Sequence, residues 1–245
     1  MKYGVFSDPH GNLEALTACL DRLKKEGVSH YICCGDLIGY GPDPEECVKR
    51  VRALKNLVCV MGNHDAVFVL PELESFFNRE AALALDYSRS KMSDESVRYV
   101  ATLPKKYQGK NFTAVHGTPL DPIKEYFSSC TQFKVNYPLW KGQICFVGHT
   151  HLPFFIRGNA EECGIFLNRK ADFTVKLDPA MRYVINPGSV GKPRDNDPRA
   201  SFGIWDTAAG TFRFIRQEYD FHPTQQKMLA AKLPAFLIDS LTLGL

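Results

Sequence analysis

The chain has no apolar run long enough to cross a lipid bilayer, which argues against a transmembrane helix. It also lacks a basic stretch followed by an apolar segment at its start, the pattern of a secretory signal peptide. The first strand-like run begins at once and leads to Asp8, so cleavage of a leader would remove a motif. We therefore expect a cytoplasmic protein that does not bind membranes.

A strong charge bias, internal repeats, low-complexity tracts and a convincing linker are absent as well. The net charge of +3 is too small to predict a nucleic-acid partner. The 245 residues are 44% hydrophobic and 23% charged, which is typical of a globular protein with a sizeable core. We expect one domain over residues 1–245.

No C-x-x-C pair occurs among the eight cysteines, which are Cys19, Cys33, Cys34, Cys47, Cys59, Cys130, Cys145 and Cys163. Several lie inside apolar runs, where a thiol packs as a small hydrophobic group. This usage predicts reduced, mostly buried thiols in a reducing compartment. A redox pair or a thiolate metal ligand at Cys33 and Cys34 is the alternative, although adjacent side chains of a strand point to opposite faces.

The first hundred residues alternate between strand-like and helix-like patterns. Asn12 can cap a helix that carries leucines at helical spacing, and Pro44 can begin a second helix. With the apolar runs around them, these helices predict parallel βαβ units. Residues from about 65 to 103 have a largely helical pattern, which Pro104 ends.

Short alternating runs follow His151 and predict strands. We expect a second, mainly antiparallel sheet over about residues 152–220 and a C-terminal helix over about residues 222–245. Two mixed β-sheets flanked by helices would form a four-layer αββα sandwich of the α/β class. The apolar C-terminal stretch fits docking onto the domain, with a contact in a homo-oligomer as the alternative.

Five apolar, strand-like runs each end at residue types that bind metals. In chain order, the residues that follow these runs include Asp8, His10, Asp36, Asn63, His64, His116, His149 and His151. Ligand sites form at the carboxyl ends of strands in open α/β sheets, so one edge can gather these side chains. Members of an i, i+2 pair point the same way in extended backbone and can address one cluster. Carboxylates, an amide and imidazoles at one edge predict a polynuclear metal site, which indicates hydrolysis.

These motifs resemble those of the calcineurin-like metallophosphoesterase superfamily, in the expected order from residue 8 to 151. The matching strings are Asp8-x-His10, Gly35-Asp36, Gly62-Asn63-His64-Asp65, His116-Gly117 and Gly148-His149-x-His151. Longer strings are similar to those of small single-domain phosphoesterases of bacteria and archaea; they cover residues 7–12, 39–42, 148–153 and 186–191.

The resemblance implies two divalent metal ions. One would be bound by Asp8, His10, Asp36 and His151, and the other by Asp36, Asn63, His116 and His149. Asp36 and a hydroxide would then bridge them. Oxygen and nitrogen donors without thiolate favour Mn, Fe, Zn or Ni. His64 is similar to the family's catalytic histidine, which is not a ligand; as an imidazolium it could protonate the leaving group, or it could stabilise transferred charge.

Two further residues are candidates for contacts with the substrate. Arg194 could bind phosphate oxygens, or it could belong to a solvated basic loop. Asn12 could contact a phosphate oxygen, although its capping role is favoured. Tyr40 and Tyr126 could line a pocket, but ordinary packing explains them equally well.

The sequence therefore predicts a metal-dependent phosphoesterase, a phosphodiesterase or phosphatase, in which a metal-bridging hydroxide attacks a small phosphodiester or nucleotide. A dinucleoside polyphosphate is also an open substrate. The alternatives are a non-catalytic metal-binding scaffold of the same fold and a nuclease. An intact His64 and ligand set argue against the scaffold, and no large extra domain is visible for a nuclease. A protein serine/threonine phosphatase is disfavoured because no Asp-Arg-Gly element follows Asp36.

Overall fold

The computed structural model of the chain describes residues 1–167 and 172–245. Its first elements are β1 (Lys2–Phe6), α1 (Leu13–Lys25), β2 (His30–Cys33), α2 (Pro44–Arg52) and β3 (Leu57–Cys59). The Asn12 side chain accepts a hydrogen bond of 3.1 Å from the backbone N–H of Ala15 and so caps α1. Pro44 is the first residue of α2, where its missing N–H costs nothing. The predicted alternation of strands and helices is confirmed here.

The helical region contains α3 (Asn63–Ala66), a 3-10 helix (Pro71–Phe76), α4 (Arg79–Lys91) and α5 (Asp94–Thr102). The elements that follow it are β4 (Lys106–Gln108), β5 (Phe112–Val115), α6 (Cys130–Asn136), a 3-10 turn (Tyr137–Leu139), β6 (Ile144–Phe146), β7 (Pro153–Gly158), β8 (Cys163–Leu167), β9 (Asp172–Lys176), β10 (Arg182–Pro187), β11 (Ala200–Asp206), β12 (Thr211–Gln217), α7 (His222–Ala230) and α8 (Ala235–Leu243). The predicted C-terminal helix is thus two helices, because Pro234 cannot continue α7 and instead precedes α8.

The strands of the described residues form two six-stranded sheets. The first sheet has the order β3-β2-β1-β11-β12-β9, and the second has the order β4-β5-β6-β10-β7-β8. In the first sheet, β1, β2 and β3 run parallel, and in the second sheet β5, β6 and β10 run parallel. The remaining pairs are antiparallel, so that both sheets are mixed.

The C-terminal strands do not form the separate antiparallel sheet predicted for about residues 152–220. β11 pairs with β1, with Ile204 opposite Gly4, and so extends the first sheet. β10 pairs with β6, with Val184 opposite Cys145, and so extends the second. Alternation of apolar and polar residues identifies a strand but not its partner, because the partner is set by contacts far apart in sequence.

Side chains from both sheets fill the space between them. This inner core includes Val5, Ile32, Phe212, Phe112, Phe146 and Tyr183, and burial of each such side chain contributes about 1.5–3 kcal/mol. Another apolar cluster joins the first sheet to α1, α2 and α5, and a third joins the second sheet to α6. The layers therefore run helices, sheet, sheet, helix, which confirms the four-layer αββα sandwich.

The C-terminal helices pack onto the fold instead of extending from it. Leu237, Ile238 and Leu241 of α8 are buried with Met228 of α7 and Ala84 of α4. This packing places the end of the chain beside the loops that carry the polar strand-end residues. Docking of the apolar C-terminus, the first of the two predicted roles, is thus observed.

Two of the cysteines differ from the prediction. Cys130, at the start of α6, and Cys163, at the start of β8, form a disulfide with a Cα–Cα distance of 5.9 Å. The six other cysteines are free and buried. The prediction of reduced thiols is therefore wrong for this one pair, whose members are far apart in sequence and adjacent only after folding. None of the helices in the described residues is long and apolar enough to cross a membrane.

Candidate metal centre

The polar strand-end residues from both sheets lie at one edge of the sandwich. Asp8, Asp36 and Asn63 follow the parallel strands β1, β2 and β3, and His116 and His149 follow β5 and β6. The carboxyl ends of parallel strands share an edge, and this topology is why residues distant in sequence meet.

Left-handed backbone conformations are concentrated at these residues. The φ angle is 55° at Asp8, 48° at His10, 55° at Asp36, 67° at His149 and 60° at His151. Non-glycine residues in this region cost about 1–3 kcal/mol each and persist where the surrounding structure fixes them. The two i, i+2 pairs therefore reach one site through tight turns, and the predicted extended backbone is wrong. Hydrogen bonds from the N–H groups of Asp8 and His10 to the loop after β2 hold the first turn.

The donor atoms form two groups that share one carboxylate. The first group is Asp8, His10, Asp36 and His151, and the second is Asp36, His116 and His149; within each, the donor atoms lie within 4.8 Å of one another. In the second group, Asn63 Oδ1 lies 3.0 Å from His116 Nε2. The structure thus brings together all seven residues predicted as metal ligands.

Asp36 connects the two groups through a single oxygen. Its Oδ2 lies 3.5 Å from His10 Nε2 and 3.3 Å from His116 Nε2. Its Oδ1 instead accepts a hydrogen bond of 2.9 Å from the backbone N–H of His64. One oxygen is therefore fixed by the backbone, and the other is free to face both groups of donors.

Each of the four histidines in these groups is oriented by a main-chain carbonyl. In three of them Nδ1 makes this bond: His10 to the carbonyl of Ile38 at 2.9 Å, His116 to that of Cys34 at 2.8 Å, and His151 to that of Lys192 at 2.5 Å. In His149 it is Nε2 that bonds to the carbonyl of Lys124, at 3.1 Å. A carbonyl can only accept, so the proton of each neutral ring lies on the outer nitrogen and the inner nitrogen presents a lone pair. Metal-binding histidines are held in this way.

The inner atoms lack the partners that buried polar atoms normally have. Nε2 of His10 lies 3.1 Å from Nε2 of His151, and two lone pairs at this distance repel each other. Both carboxylate oxygens of Asp8 are buried without a hydrogen-bond partner. Burial, together with the nearby Asp36 carboxylate, raises the pKa of Asp8 to about 7. A divalent cation would satisfy all of these atoms, so the donor set fits a metal.

Without a metal, His116 and Asp36 form a charged pair. Burial lowers the pKa of His116, but the Asp36 carboxylate outweighs this effect and raises it to about 9. Burial likewise opposes the charge on Asp36, yet the positive charge of His116 holds the pKa of Asp36 well below its usual range. The protonated imidazole thus supplies part of the positive charge that a metal would bring.

A further carboxylate, Asp65, holds the loops that carry the ligands. Its Oδ2 accepts hydrogen bonds from the backbone N–H groups of Asp36 and Gly62 at 2.8 and 3.0 Å, and its Oδ1 accepts one from Leu37 at 3.0 Å. Asp65 is fully buried and joins the loop after β2 to the loop after β3. This positioning role was missed from the sequence, although Asp65 belongs to a recognised motif.

The His64 ring lies beside the donor groups and forms no hydrogen bond with their side chains, although its backbone N–H bonds to Asp36 Oδ1. Its ring centroid is 4.7 Å from those of His10, Tyr40 and Phe77. A Cβ on Gly39 would lie 2.3 Å from its Nδ1, so the ring needs a glycine at that position. Burial lowers the pKa of His64 to about 4, which favours the neutral ring over the imidazolium form.

A cavity of about 490 Å³ opens onto this centre, within the range of roughly 300–1,000 Å³ typical of small-molecule sites. Asp36, Asn63, His64, His149 and His151 form its polar floor. Its walls carry three cationic side chains, which are Lys124, Lys192 and Arg194. The cavity therefore suits an anion.

The two residues predicted to contact substrate lie in different places. Arg194 lines the cavity, where its guanidinium donates a hydrogen bond of 3.2 Å to the Tyr40 hydroxyl. Asn12 is 1% exposed; its Oδ1 caps α1, and its Nδ2 donates to Gly191 O and to Tyr219 Oη. The Asn12 amide is thus engaged within the fold, which argues against the predicted contact with substrate.

Comparison with known proteins agrees with this arrangement. The family model of the calcineurin-like phosphoesterase superfamily domain matches residues 1–210. An uncharacterized protein of Methanocaldococcus jannaschii is 37% identical over 246 residues, which cover 98% of this chain and 97% of that protein. The chain belongs to the calcineurin-like phosphoesterase superfamily. It is therefore a metal-dependent phosphoesterase, a hydrolase of phosphate esters.

Solved structures show the same architecture. A metallophosphoesterase from Sphaerobacter thermophilus is 36% identical, with a TM-score of 0.88 and coverage of 100% of this chain and 99% of that one. A hypothetical protein from Pyrococcus horikoshii has a TM-score of 0.81 at 22% identity, over 99% of this chain and 98% of that one, and so supports the fold. The predicted family resemblance is confirmed.

Several cavity-lining residues of this phosphoesterase carried no signal in the sequence. Lys124 comes from the loop between β5 and α6, Phe76 from the end of the 3-10 helix, and Phe236 from the start of α8. None of them belongs to a motif or a regular pattern. Only the packing of distant segments brings them to the cavity.

Proposed function

We propose that the chain hydrolyses a small phosphodiester or nucleotide at a centre of two divalent transition-metal ions. Asp8, His10, Asp36 and His151 would hold one ion, and Asp36, Asn63, His116 and His149 would hold the other. The observation that carries the proposal is the position of Asp36 Oδ2, which faces both donor groups while Oδ1 is bonded to the backbone. Oxygen and nitrogen donors without thiolate suit Mn, Fe, Zn or Ni.

The two ions, when bound, supply Lewis acidity and a nucleophile near neutral pH. The protein contributes fixed donors that need little rearrangement, because carbonyls already orient the four imidazoles. Burial of the floor keeps bulk water away and strengthens the interaction of the centre with the phosphoryl group.

His64 would act on the phosphoryl group as a hydrogen-bond donor. It lines the floor of the cavity, and its neutral ring carries one N–H. A fixed donor aimed at oxygens that gain charge stabilises the transition state and needs no proton uptake beforehand. Of the two roles open from the sequence, stabilisation of transferred charge therefore suits this ring better than protonation by an imidazolium.

Arg194 and Lys192 would bind the remaining phosphate oxygens. Arg194 is held by the Tyr40 hydroxyl, and Lys192 is 5% exposed and donates to Ser240 Oγ at 3.2 Å. Burial, together with the neighbouring charge of Arg194, lowers the pKa of Lys192 to about 8. Both cations are therefore anchored before a substrate arrives, which reduces the entropy lost on binding.

The proposal is tested by metal analysis and a hydrolysis panel. Protein reconstituted separately with Mn, Fe, Zn or Ni is analysed for bound metal and assayed with bis(p-nitrophenyl) phosphate, p-nitrophenyl phosphate and nucleotides. We expect two ions per chain and turnover of at least one ester. A chain that binds two ions and hydrolyses no ester in the panel would favour the scaffold alternative and refute the proposal.

A further inference from the structure

One wall of the cavity carries aromatic rings that the hydrolytic reaction does not require. Phe76 is 69% exposed and Tyr126 is 49% exposed, and both line the cavity beside the metal centre. An exposed apolar surface at the mouth of a polar site marks a place where a ligand binds. We call the surface formed by Phe76, Tyr126 and Lys124 the aromatic wall.

The aromatic wall is held in place by contacts with the centre. The Tyr126 ring stacks on His149 with centroids 3.9 Å apart and planes 8° apart, so one of its faces is covered. The main-chain carbonyl of Lys124 bonds to Nε2 of the same histidine at 3.1 Å. The loop between β5 and α6 is thus fixed to His149, one of the proposed metal ligands. Only one face of the Tyr126 ring is left for stacking with another planar group.

Phe76 joins this loop from another part of the chain. The Lys124 Nζ lies 5.1 Å from the centroid of the Phe76 ring, within the range of a cation–π contact. The end of the 3-10 helix and the loop between β5 and α6 therefore meet at one wall of the cavity, which carries two rings and a cation.

Charge and shape limit the kind of molecule that would use this wall. The floor and the cations Lys192 and Arg194 suit a phosphate, whereas exposed rings suit a flat π surface. Lys124 adds a positive charge at the rings themselves, which suits an electron-rich heterocycle or a further phosphate. A phosphate ester with only a short aliphatic group would leave the exposed surface of both rings uncovered.

We propose that the aromatic wall binds the base of a nucleoside phosphate by stacking on Phe76 and Tyr126, while the phosphate lies over the metal centre. This narrows the proposed substrate class to nucleotides and nucleoside phosphodiesters, and it rests on the proposed function for the position of the phosphate. Because every base has a π face, stacking alone gives little preference among bases.

The test compares two ligands that differ only in the base. Binding of adenosine 5′-phosphate and ribose 5-phosphate to the metal-loaded protein is measured by calorimetry, with a pH-matched buffer and short titrations. We expect adenosine 5′-phosphate to bind about tenfold more tightly, the size of one base–aromatic stack. Phe76→Ala and Tyr126→Ala should each reduce this ratio to about threefold or less.

A matched control comes from a phenylalanine outside the cavity. Phe166 on β8 is 42% exposed and does not line the cavity, so Phe166→Ala should keep the full ratio. Because Tyr126 contacts a ligand residue, metal content is measured for every variant, and the ratio of the two affinities cancels any common loss of phosphate binding. Equal affinities in the wild-type protein, or a ratio that survives in the Phe76→Ala/Tyr126→Ala double variant, would overturn the inference.

The outcome is separable from that of the proposed function. Hydrolysis of bis(p-nitrophenyl) phosphate without a preference for the base would refute the aromatic wall and leave the phosphoesterase proposal standing. A base preference that depends on Phe76, in a chain that hydrolyses no ester, would support the nucleotide site and refute the proposed reaction.

Discussion

Replacement of Asp65 by Asn should destabilise the protein and weaken metal binding, although Asp65 is not one of the proposed metal ligands. The Asp65 carboxylate accepts three backbone hydrogen bonds, two at Oδ2 and one at Oδ1. An Asn side chain has one acceptor oxygen and one amide donor. If the Asn oxygen keeps the hydrogen bonds from the N–H groups of Asp36 and Gly62, the Asn NH₂ group faces the N–H of Leu37. That buried N–H then loses its hydrogen-bond acceptor.

The expected cost follows from these three bonds. A buried unsatisfied N–H costs about 1–3 kcal/mol, and loss of the charge weakens each of the two remaining bonds by about 1 kcal/mol. Removal of the Asp65 charge also relieves its burial penalty and its repulsion from Asp36, which offsets part of this sum, so the free energy of unfolding should fall by about 2–4 kcal/mol. Metal affinity should fall about 10- to 100-fold, as for other groups that orient ligands.

The free energy of unfolding is measured by urea unfolding of the metal-free protein at pH 8. The metal affinity is measured by competition with a chelating dye. This pH lies above the pKa of about 7 to which burial, together with the Asp36 carboxylate, raises the Asp65 carboxyl, so the wild-type group is ionised. The slope of the unfolding free energy against urea should not change, because the same surface is exposed.

Asp206→Asn is the matched control. Asp206 is the last residue of β11, at the turn to β12. Its Oδ1 alone accepts hydrogen bonds from the backbone N–H groups of Ala208 and Ala209, at 3.0 and 3.1 Å. The Asn oxygen can keep both bonds, so this variant should lose less than about 1 kcal/mol. The reasoning is refuted if Asp65→Asn unfolds at the same urea concentration as the wild type and binds metal with the same affinity.

Four further predictions concern the centre itself. His64→Ala should retain both metals by elemental analysis and lose about 10²- to 10³-fold in kcat toward a phosphodiester, whereas wild-type turnover would contradict its proposed role. Gly39→Ala should lower kcat with unchanged metal content, because the added Cβ lies 2.3 Å from His64 Nδ1 and residue 39 has a φ of +89°. An unchanged kcat would count against the importance of the position of the His64 ring. Asp36→Asn should bind fewer than two ions per chain in equilibrium dialysis, and two tightly bound ions would show that Asp36 is not shared. Metal-free protein should lose stability in urea as the pH rises from about 6.5 to about 9, because His116 holds its proton up to a folded pKa of about 9, above the unfolded value of 6.5. Metal-loaded protein should not show this loss, and stability that rises over this range would contradict the pairing of His116 with Asp36.

The strand–helix order was predictable because its signals are local, and so was the gathering of polar strand-end residues at one edge; the resemblance to the superfamily supplied the division of seven of them into two candidate ligand sets. An apolar run that ends at a polar residue shows where a strand stops, as at Asp8 and Asp36, and parallel strands place such ends at one edge. Capping by Asn12 was predictable for a similar reason, since its bond to Ala15 spans only three residues.

The backbone turns and sheet partners were not predictable in the same way. Extended backbone at Asp8 and His10 was the simplest interpretation of an i, i+2 pair, but both residues have positive φ because loop hydrogen bonds fix them. The assignment of β10 and β11 to different sheets depends on long-range pairing, and the Cys130–Cys163 disulfide depends on the approach of α6 to β8.

The sequence by itself determined the reaction class of this phosphoesterase, because the residue types at the strand ends fix which donors a metal can find. Tertiary structure alone decided which nitrogen of each imidazole faces the centre, that Asp36 presents one oxygen to both groups, and that Phe76, Tyr126 and Lys124 share a wall. The physical reason is the separation in sequence between the residues that determine each feature. Donor identity and strand ends are set within a few residues, whereas orientation and cavity shape depend on contacts between segments that are distant in the chain.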